Sequence, residues 1–137
     1  MHNISTKSQQ YELDNYLDKS SQGAHLNGEI VAVIKEYLLG MDESLCEVIA
    51  FSIMPNHIHI LLVQKVELAK IVQQIKGGLS FVLNKILKKS GALWQKDYFD
   101  KAIGDEKHFN LVYEYIKCNA IKAGLEDAEN RFYGMYG

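Results

Sequence analysis

The stretch CEVIAFSIMPNHIHILLVQ, residues 46–64, decides the fold. Residues 46–53 are mostly apolar and rich in β-branched and aromatic side chains, which is typical of a buried strand. Residues 57–64 predict a second strand of the same kind. Pro55 lies between them and lacks the backbone donor that a central strand needs, so residues 54–56 predict a tight turn. The stretch as a whole predicts an antiparallel hairpin.

Outside this hairpin, the apolar spacing predicts helices. A short polar helix is predicted over residues 9–19, a stronger one over 28–39 with Gly40 as its C-cap, and a long one over 67–89. A last helix begins after Asp105, which can cap it, and ends near Gly124. These elements predict an α+β fold, a small antiparallel sheet with helices packed on it, in one domain over residues 1–137.

The overall composition favours a small globular protein. With 47% apolar residues and one proline, a chain of 137 residues can bury a single core. The longest apolar run is far too short to span a bilayer, and residues 1–10 lack the apolar core of a signal peptide. We therefore expect a cytoplasmic protein without a membrane partner. The two cysteines form neither a CxxC pair nor a disulfide framework.

Two histidines stand at the start of the second strand. Residues i and i+2 of a strand point to the same face, so His57 and His59 present two imidazoles side by side, with Ile58 on the other face. Such a pair can bind one divalent ion, provided both rings are neutral. Taken alone, this spacing is also common among surface histidines, so both interpretations remain open.

The last helix carries a second pattern of interest. Its apolar stripe faces the core, whereas Tyr115 and Asn119 lie one turn apart on an adjoining face. This spacing can place a phenol and an amide oxygen at one site. From the helix alone, an ordinary amphipathic surface explains both residues equally well.

Four motifs in order give the chain a family resemblance. They are MPNHIHILL (54–62), LWQKDYFD (93–100), DEKHF (105–109) and YIKCNAIKAGL (115–125). Together they resemble the single-tyrosine transposases of the His-hydrophobic-His endonuclease superfamily, above all the REP-associated tyrosine transposases. The motif-bearing part spans residues 46–125. The resemblance implies a ferredoxin-like arrangement of the sheet and helices.

The resemblance also implies a chemistry. It implies a nucleophile at Tyr115, which would form a 5′-phosphotyrosine link with single-stranded DNA beside a hairpin. His57, His59 and Asn119 match the ligands of a Mg²⁺ or Mn²⁺ ion, and no small-molecule cofactor is implied. Tyr98 and Tyr113 are the rival nucleophiles: Tyr98 lies in the aromatic stretch, which is interpreted as structural or DNA-facing, and Tyr113 falls on the core stripe.

The chain departs from the family pattern near its N-terminus. Family members open with a strand that lies near the sheet centre, and the sequence before residue 9 offers no convincing equivalent. We therefore expect this strand to be missing or short. A missing central strand would leave backbone donors and acceptors unpaired, which would favour a homodimer.

Basic and aromatic side chains could contact nucleic acid despite a net charge of −2. A phosphate track is predicted along the long helix and the segment after it, and Trp94 could stack on unpaired bases, as could Tyr98 and Phe99. The predicted track consists of Lys76, Lys85, Lys88, Lys89 and Lys96.

Two alternatives to an active DNA strand transferase remain open. A domesticated or decayed copy would bind nucleic acid or a partner without catalysis, which the acidic balance and the expected loss of a strand favour. A structural zinc module would use His57, His59 and Cys118, although structural zinc sites prefer more cysteine ligands.

Overall fold

A computed structural model of the chain describes residues 9–18, 26–88, 90 and 93–137. Along the described chain, strands and helices alternate irregularly. Their order is β1 (Gln10–Tyr16), α1 (Glu29–Leu39), β2 (Cys46–Met54), β3 (His57–Gln64), α2 (Leu68–Leu87), β4 (Phe99–Ala102), α3 (Glu106–Lys122), α4 (Ala128–Arg131) and β5 (Phe132–Gly134). None of these helices is both long and apolar enough to cross a membrane.

The five strands form one antiparallel sheet in the order β4-β1-β3-β2-β5. The predicted hairpin is its centre: β2 and β3 pair from Met54 opposite His57 to Cys46 opposite Gln64, with a register shift between Val48 and Ala50. The α+β fold predicted from the sequence is therefore confirmed.

Helices cover both faces of this sheet. On one face, α1 and α2 pack on the side chains of Ile58, Ile60 and Leu62, all fully buried. On the other face, α3 packs through Val112 and Ile116 against Ala50 and Leu61. His57 and His59 alternate with the isoleucines, so their side chains lie on the α3 face. This alternation brings the two histidines and Tyr115 to the same side of the sheet.

The helix predicted over residues 9–19 is wrong, because Gln10–Tyr16 is strand β1. β1 pairs with β3 on one side and with β4 on the other. Leu13 is fully buried in the core, and Glu12 and Asp14 point to the opposite face. Apolar and polar residues thus alternate with the period of a strand. The expected absence of the N-terminal strand is corrected too, and with it falls the reason given for a homodimer.

The two glycines inside α2 differ in their surroundings. A Cβ atom built on Gly78 would collide with the ring of Tyr37, whose hydroxyl donates a hydrogen bond of 2.8 Å to the backbone oxygen of Gln74. A Cβ on Gly77 would meet nothing within 4 Å. The close approach of α1 to α2 therefore requires glycine at position 78 but not at position 77.

This difference predicts opposite effects of one substitution at adjacent positions. Gly77→Ala is expected to raise the free energy of unfolding by about 0.5–1 kcal/mol, because alanine is the better helix former. Gly78→Ala is expected to lower it by about 1–3 kcal/mol, because Tyr37 must move. Urea denaturation of both variants measures the two values. Equal effects of the two substitutions would contradict the packing of Tyr37 on Gly78.

Candidate active site

The site lies on the sheet face that α3 covers, where β1 and β3 run side by side. Asp14 stands opposite His59 in the β1–β3 register, and Tyr16 stands opposite His57. Directly opposite residues in an antiparallel pair point to the same face, with Cβ atoms about 5 Å apart. Each histidine of β3 therefore has a polar or aromatic neighbour from β1.

His59 is buried between two carboxylates. Its Nε2 atom lies 3.1 Å from Oε1 of Glu12, and its Nδ1 atom lies 3.7 Å from Oδ1 of Asp14. A neutral imidazole has one N–H group, so it can donate to one of the two carboxylates at a time. These contacts hold the His59 ring toward β1.

Glu12 also links His59 to the start of α3. Its second oxygen, Oε2, lies 3.6 Å from Nε2 of His108. The backbone N–H of Gly104 donates a 3.0 Å hydrogen bond to Nδ1 of His108. The neutral ring of His108 therefore carries its hydrogen on Nε2, facing Glu12. The carboxylate of Glu12 thus lies between two imidazoles.

The electrostatics of this pair of carboxylates favour a bound positive charge. Burial raises the pKa of the Asp14 carboxyl, the neighbouring His59 lowers it, and the negative charge of Glu12 raises it again. Two acidic groups that face the same buried imidazole repel each other unless a cation or a proton lies near them.

His57 is held as a neutral ring. It stacks on Tyr16 with the ring centroids 4.5 Å apart and an interplanar angle of 17°, and its Nδ1 atom lies 2.8 Å from Oδ1 of Asn56. Burial and the nearby His59 lower the pKa of His57 to about 4. With Nδ1 donating to Asn56, the lone pair on Nε2 stays available at neutral pH.

Tyr115 projects from α3 beside this network. Its side chain is 54% exposed, and its ring centroid lies 5.5 Å from that of His59. It borders a shallow cleft of about 360 Å³ that is also lined by Glu12, Asp14, His59, Leu111 and Val112. The phenol is therefore open to a ligand on one side and close to the histidine strand on the other.

The rival tyrosines are engaged elsewhere. Tyr113 is buried, and its hydroxyl accepts a 3.0 Å hydrogen bond from the backbone N–H of Tyr136. The ring of Tyr98 is contacted by the ammonium group of Lys76, 5.5 Å from the centroid. Neither phenol belongs to the cleft at His59.

Asn119 lies on α3 one turn after Tyr115 and is half-buried. Its side chain makes no hydrogen bond to either histidine in the described structure. Within the described ranges, no three His, Cys, Asp or Glu side chains are grouped closely enough to hold a metal ion. The zinc alternative gains no support, since the Cys118 thiol faces Glu114 at 3.9 Å. The ligands predicted for Mg²⁺ or Mn²⁺ are the two imidazoles of His57 and His59 and the amide of Asn119. This set differs from a group of three His, Cys, Asp or Glu side chains.

A family model described as "Transposase IS200 like" matches residues 19–119 of the chain. This match covers well over half of the sequence and contains the histidine pair, Tyr115 and Asn119. The chain belongs to this family. This membership agrees with the family resemblance of the four motifs.

Solved structures support the fold of this family member. A REP-associated tyrosine transposase bound to a REP hairpin superposes with a TM-score of 0.71 at 16% identity, covering 90% of this chain and 73% of that one. A protein from Deinococcus radiodurans, solved as a candidate transposase, gives a TM-score of 0.60 at 19% identity over 85% of this chain and 95% of its own. At these identities, the similarity shows the shared fold alone.

A curated relative adds little to this family membership. An uncharacterized protein of Haemophilus influenzae is 28% identical over 52% of this chain and 52% of its own length. The chain therefore spans about half the length of the curated relative that it matches.

The predicted nucleic-acid contacts are distributed differently from the expectation. The Lys76 ammonium donates to the backbone oxygens of Gln95 and Lys96 at 2.7 and 3.0 Å, so it fastens α2 to the segment before β4. Desolvation by burial lowers the pKa of Lys76. Trp94 is 5% exposed, so its ring has no face open to a base. The burial of Trp94 argues against the predicted base stacking. The predicted phosphate contact of Lys76 stays a prediction, although its ammonium group has a structural role here.

The remaining predicted lysines do not line the cleft. Lys85 belongs to α2 and Lys88 directly follows it, and this helix packs on the sheet face opposite to α3. Lys96 is exposed before β4, and Lys89 lies outside the described residues. The predicted phosphate track is thus not continuous with the face that carries the histidines.

Sequence reasoning missed Glu12, Asp14 and His108. The two carboxylates fell in the segment interpreted as a helix, which hid the fact that they share a face. The signal was present in the alternation of Tyr11 and Leu13 with Glu12 and Asp14, since such alternation is the mark of a half-buried strand. His108 lies in the DEKHF motif, and its contact with Glu12 joins segments that are far apart in the sequence.

Proposed function

We propose that the chain is a metal-dependent strand transferase that cuts and rejoins single-stranded DNA through Tyr115. The observation that carries this proposal is the position of Tyr115: an exposed phenol, 5.5 Å from the ring of His59, at an open cleft in a member of the IS200-like transposase family. Since DNA is the substrate, the proposed place of action is the cytoplasm.

In the proposed reaction, the Tyr115 oxygen attacks the phosphorus of a phosphodiester. A bond forms between the tyrosine oxygen and phosphorus while the bond from phosphorus to the 3′-oxygen breaks. The phenol proton leaves to solvent, which reaches the half-exposed side chain, and the departing 3′-oxygen takes up a proton. The 5′-phosphotyrosine keeps the energy of the broken diester, so rejoining is a second transfer that needs no ATP.

The residues at the site fit a Mg²⁺ or Mn²⁺ ion by their chemistry. His57 offers a neutral imidazole nitrogen, and Asn119 offers an amide oxygen. His59 would exchange one carboxylate contact for the ion, whereas the nearby carboxylates of Glu12 and Asp14 supply negative charge. Carboxylate and amide oxygens are the donors that suit these hard divalent ions, and the imidazoles add neutral nitrogen donors beside them. Once bound, such an ion polarises the phosphate and fixes its orientation.

We further propose that the DNA carries a hairpin beside the single strand. Support comes from the similar fold of the REP-associated tyrosine transposase, which is bound to a REP hairpin.

A second candidate function is a copy that binds DNA without cutting it. The observation in its favour is that both ring nitrogens of His59 face carboxylates, those of Glu12 and Asp14, so this ring is not open to a metal ion in the structure. Such a protein would bind hairpin DNA with an affinity that falls with salt, yet it would form no covalent link.

The test is an adduct assay on the purified full chain. Wild-type protein is incubated with Mn²⁺ and a library of labelled hairpins that carry single-stranded flanks, and denaturing electrophoresis separates covalent complexes. We expect a slower band with Mn²⁺ and none with EDTA. Salt-sensitive binding without any adduct would support the second candidate. The absence of both binding and adduct would overturn both.

The acidic cleft is predicted to weaken DNA binding when no divalent ion is present. One negative charge about 4 Å from a phosphate charge reduces the binding free energy by about 1 kcal/mol in a water-like medium. Replacing both carboxylates by amides (Glu12→Gln with Asp14→Asn) is therefore expected to strengthen hairpin binding about tenfold in EDTA. Fluorescence anisotropy at low salt measures this gain, since salt screens such interactions.

The matched control removes two charges elsewhere. Glu36→Gln with Glu43→Gln changes the net charge equally, at α1 and the loop after it, away from the α3 face. We expect this pair to alter the affinity in EDTA by less than twofold. An equal gain from both double variants would mean that overall charge governs binding, and the cleft would have no special part in it.

A further inference from the structure

A chain of aromatic rings leads from the edge of the sheet to the proposed active site. Phe99 begins edge strand β4, and its ring centroid lies 6.0 Å from that of Tyr16 in an edge-to-face contact. Tyr16 in turn stacks on His57. Two residues along the same strand face, the ring centroid of His59 lies 5.5 Å from that of Tyr115. Phe99 is thus the outermost ring of a continuous group.

The register places Phe99 on the face that carries the site. Phe99 stands opposite Asp14 in the β1–β4 pair, and Asp14 stands opposite His59 in the β1–β3 pair. Directly opposite residues share a face, and neighbouring strands lie about 4.8 Å apart. The backbone of Phe99 is therefore roughly 10 Å from that of His59 across the sheet.

The Phe99 side chain is free to accept another ring. It is 63% exposed, although Asp14, which stands opposite it, lines the cleft at Tyr115. The two other aromatic residues of this segment are committed: Trp94 is buried in the core, and the ring of Tyr98 is covered by Lys76. An unpaired base is a flat apolar partner that stacks on such a ring whatever its sequence.

We propose that Phe99 is the stacking platform for an unpaired base of the DNA, next to the nucleotide whose phosphate lies at Tyr115. This inference rests on the proposed function and adds the feature of the substrate that the site recognises, a base outside any duplex. Stacking there would hold the strand across the sheet, and it would compensate for the repulsion between phosphates and the carboxylates of Glu12 and Asp14.

The test compares two phenylalanines of nearly equal exposure. Phe99→Ala is expected to weaken binding of a hairpin with a single-stranded flank at least tenfold, as measured by fluorescence anisotropy. Phe81, on α2 at the opposite face, is 68% exposed, and Phe81→Ala is expected to change the affinity by less than twofold. Phe99→Trp should retain tight binding, whereas Phe99→Leu should not, because leucine is apolar but cannot stack.

A direct readout of stacking complements the affinities. A fluorescent 2-aminopurine placed at successive positions of the flank should be quenched by wild-type protein at one position, and this quenching should be absent with Phe99→Leu. Melting temperatures close to that of wild type establish that each variant is folded.

The outcomes separate this inference from the proposed function. If wild-type protein forms the adduct and Phe99→Ala still binds within twofold of it, the stacking role is overturned and the strand transferase stands. If wild-type protein neither binds nor cuts any hairpin, both fall. A dimer that becomes a monomer in Phe99→Ala during gel filtration, with unchanged DNA affinity, would assign the ring to a second copy of the chain and overturn the base-stacking role.

Discussion

Tyr115→Phe is expected to abolish the covalent protein–DNA adduct while leaving the affinity for hairpin DNA within about twofold. The substitution removes one oxygen atom from a half-exposed ring, so packing against His59 is kept and the nucleophile alone is lost. Among the described residues that line the cleft at His59, Tyr115 is the one tyrosine. The loss should therefore be complete within the detection limit of the gel, rather than a partial reduction in rate.

The rival tyrosines provide matched controls for this result. Tyr98→Phe and Tyr113→Phe also remove one phenol oxygen each, and both variants should still form the adduct. Tyr113→Phe loses the hydrogen bond to the backbone N–H of Tyr136, which we expect to cost about 1 kcal/mol of stability. An adduct that persists in Tyr115→Phe and disappears in Tyr98→Phe would identify Tyr98, just before β4, as the nucleophile and overturn the assignment.

The controls also distinguish catalysis from binding. A protein that binds DNA without chemistry would show the same hairpin affinity in all three variants and no adduct in wild type. In contrast, a working transferase requires that wild type and both rival variants give the same adduct. Mapping the modified peptide by mass spectrometry then locates the phosphate on residue 115 independently of the substitutions.

The elements predicted correctly from the sequence are those whose signals are local and long. Strand β3 begins and ends where it was predicted, since a run of eight residues rich in isoleucine, leucine and valine follows directly on a Pro-Asn turn. The start of α3 was correct because Asp105 caps it, with its side chain accepting a 2.8 Å hydrogen bond from the backbone N–H of His108. Neither signal depends on distant parts of the chain.

β1 could not be predicted with the same ease, for a physical reason. In seven residues, the apolar positions Tyr11, Leu13 and Tyr16 fit a helical face nearly as well as a strand. What stabilises the strand is its pairing with β3 and β4, which lie about 50 and 90 residues away. Such partners leave no trace in the local pattern. The short C-terminal elements α4 and β5 were not predicted either.

The candidate site was predicted incompletely, because part of it comes from a strand whose pairing partners are distant in the sequence. The structure brings His57, His59 and Tyr115 to the same face of the sheet, because two of them share a strand face and the third belongs to the helix above it; their roles stay predictions. Glu12 and Asp14 come from β1, so the error in β1 concealed them. Their presence changes the view of the site: the histidine strand is not an open pair of imidazoles, since His59 faces two carboxylates.

The C-terminal part of the chain stabilises the turn that precedes His57. Arg131, which is the single arginine of the chain and is buried, extends from α4 beneath this turn. Its guanidinium donates to the backbone oxygens of Leu26 and Ile53 at 2.8 and 2.9 Å. It also donates to Oδ1 of Asn27 at 2.6 Å and to Oδ1 of Asp127 at 2.7 Å. One side chain thus joins α4, the segment before α1 and the end of β2.

The turn itself depends on the same neighbourhood. The backbone N–H of Leu26 donates a 2.8 Å hydrogen bond to the oxygen of Pro55, and that of Leu17 donates a 2.9 Å bond to the oxygen of Asn56. Because Arg131 fixes the carbonyl of Leu26, it stabilises the segment that holds the Pro55 turn. His57 follows this turn directly, so the orientation of its ring depends on contacts made more than 70 residues later.

Arg131→Met is therefore expected to lower the free energy of unfolding by about 3–5 kcal/mol. Methionine fills much of the space, but it leaves the oxygens of Leu26 and Ile53 buried without donors, and each such group costs about 1–3 kcal/mol. Asp127 would also lose the partner whose hydrogen bond lowers the pKa of its carboxyl. Removing one member of a buried charged network costs a similar total. Chemical denaturation of both proteins measures the difference.

Asp127→Asn is the matched control, since it removes the charge at the other end of the same contact. The Asp127 side chain is 38% exposed, so its pairing with Arg131 is largely screened and its loss should cost less than about 1 kcal/mol. Arg131→Lys should fall between the two variants, because one ammonium group cannot reach four acceptors on three segments. Equal losses for Asp127→Asn and Arg131→Met would mean that the surface ion pair dominates. The hydrogen bonds from the guanidinium to the buried carbonyls would then contribute little to the free energy of unfolding, and the turn before His57 would depend on other contacts.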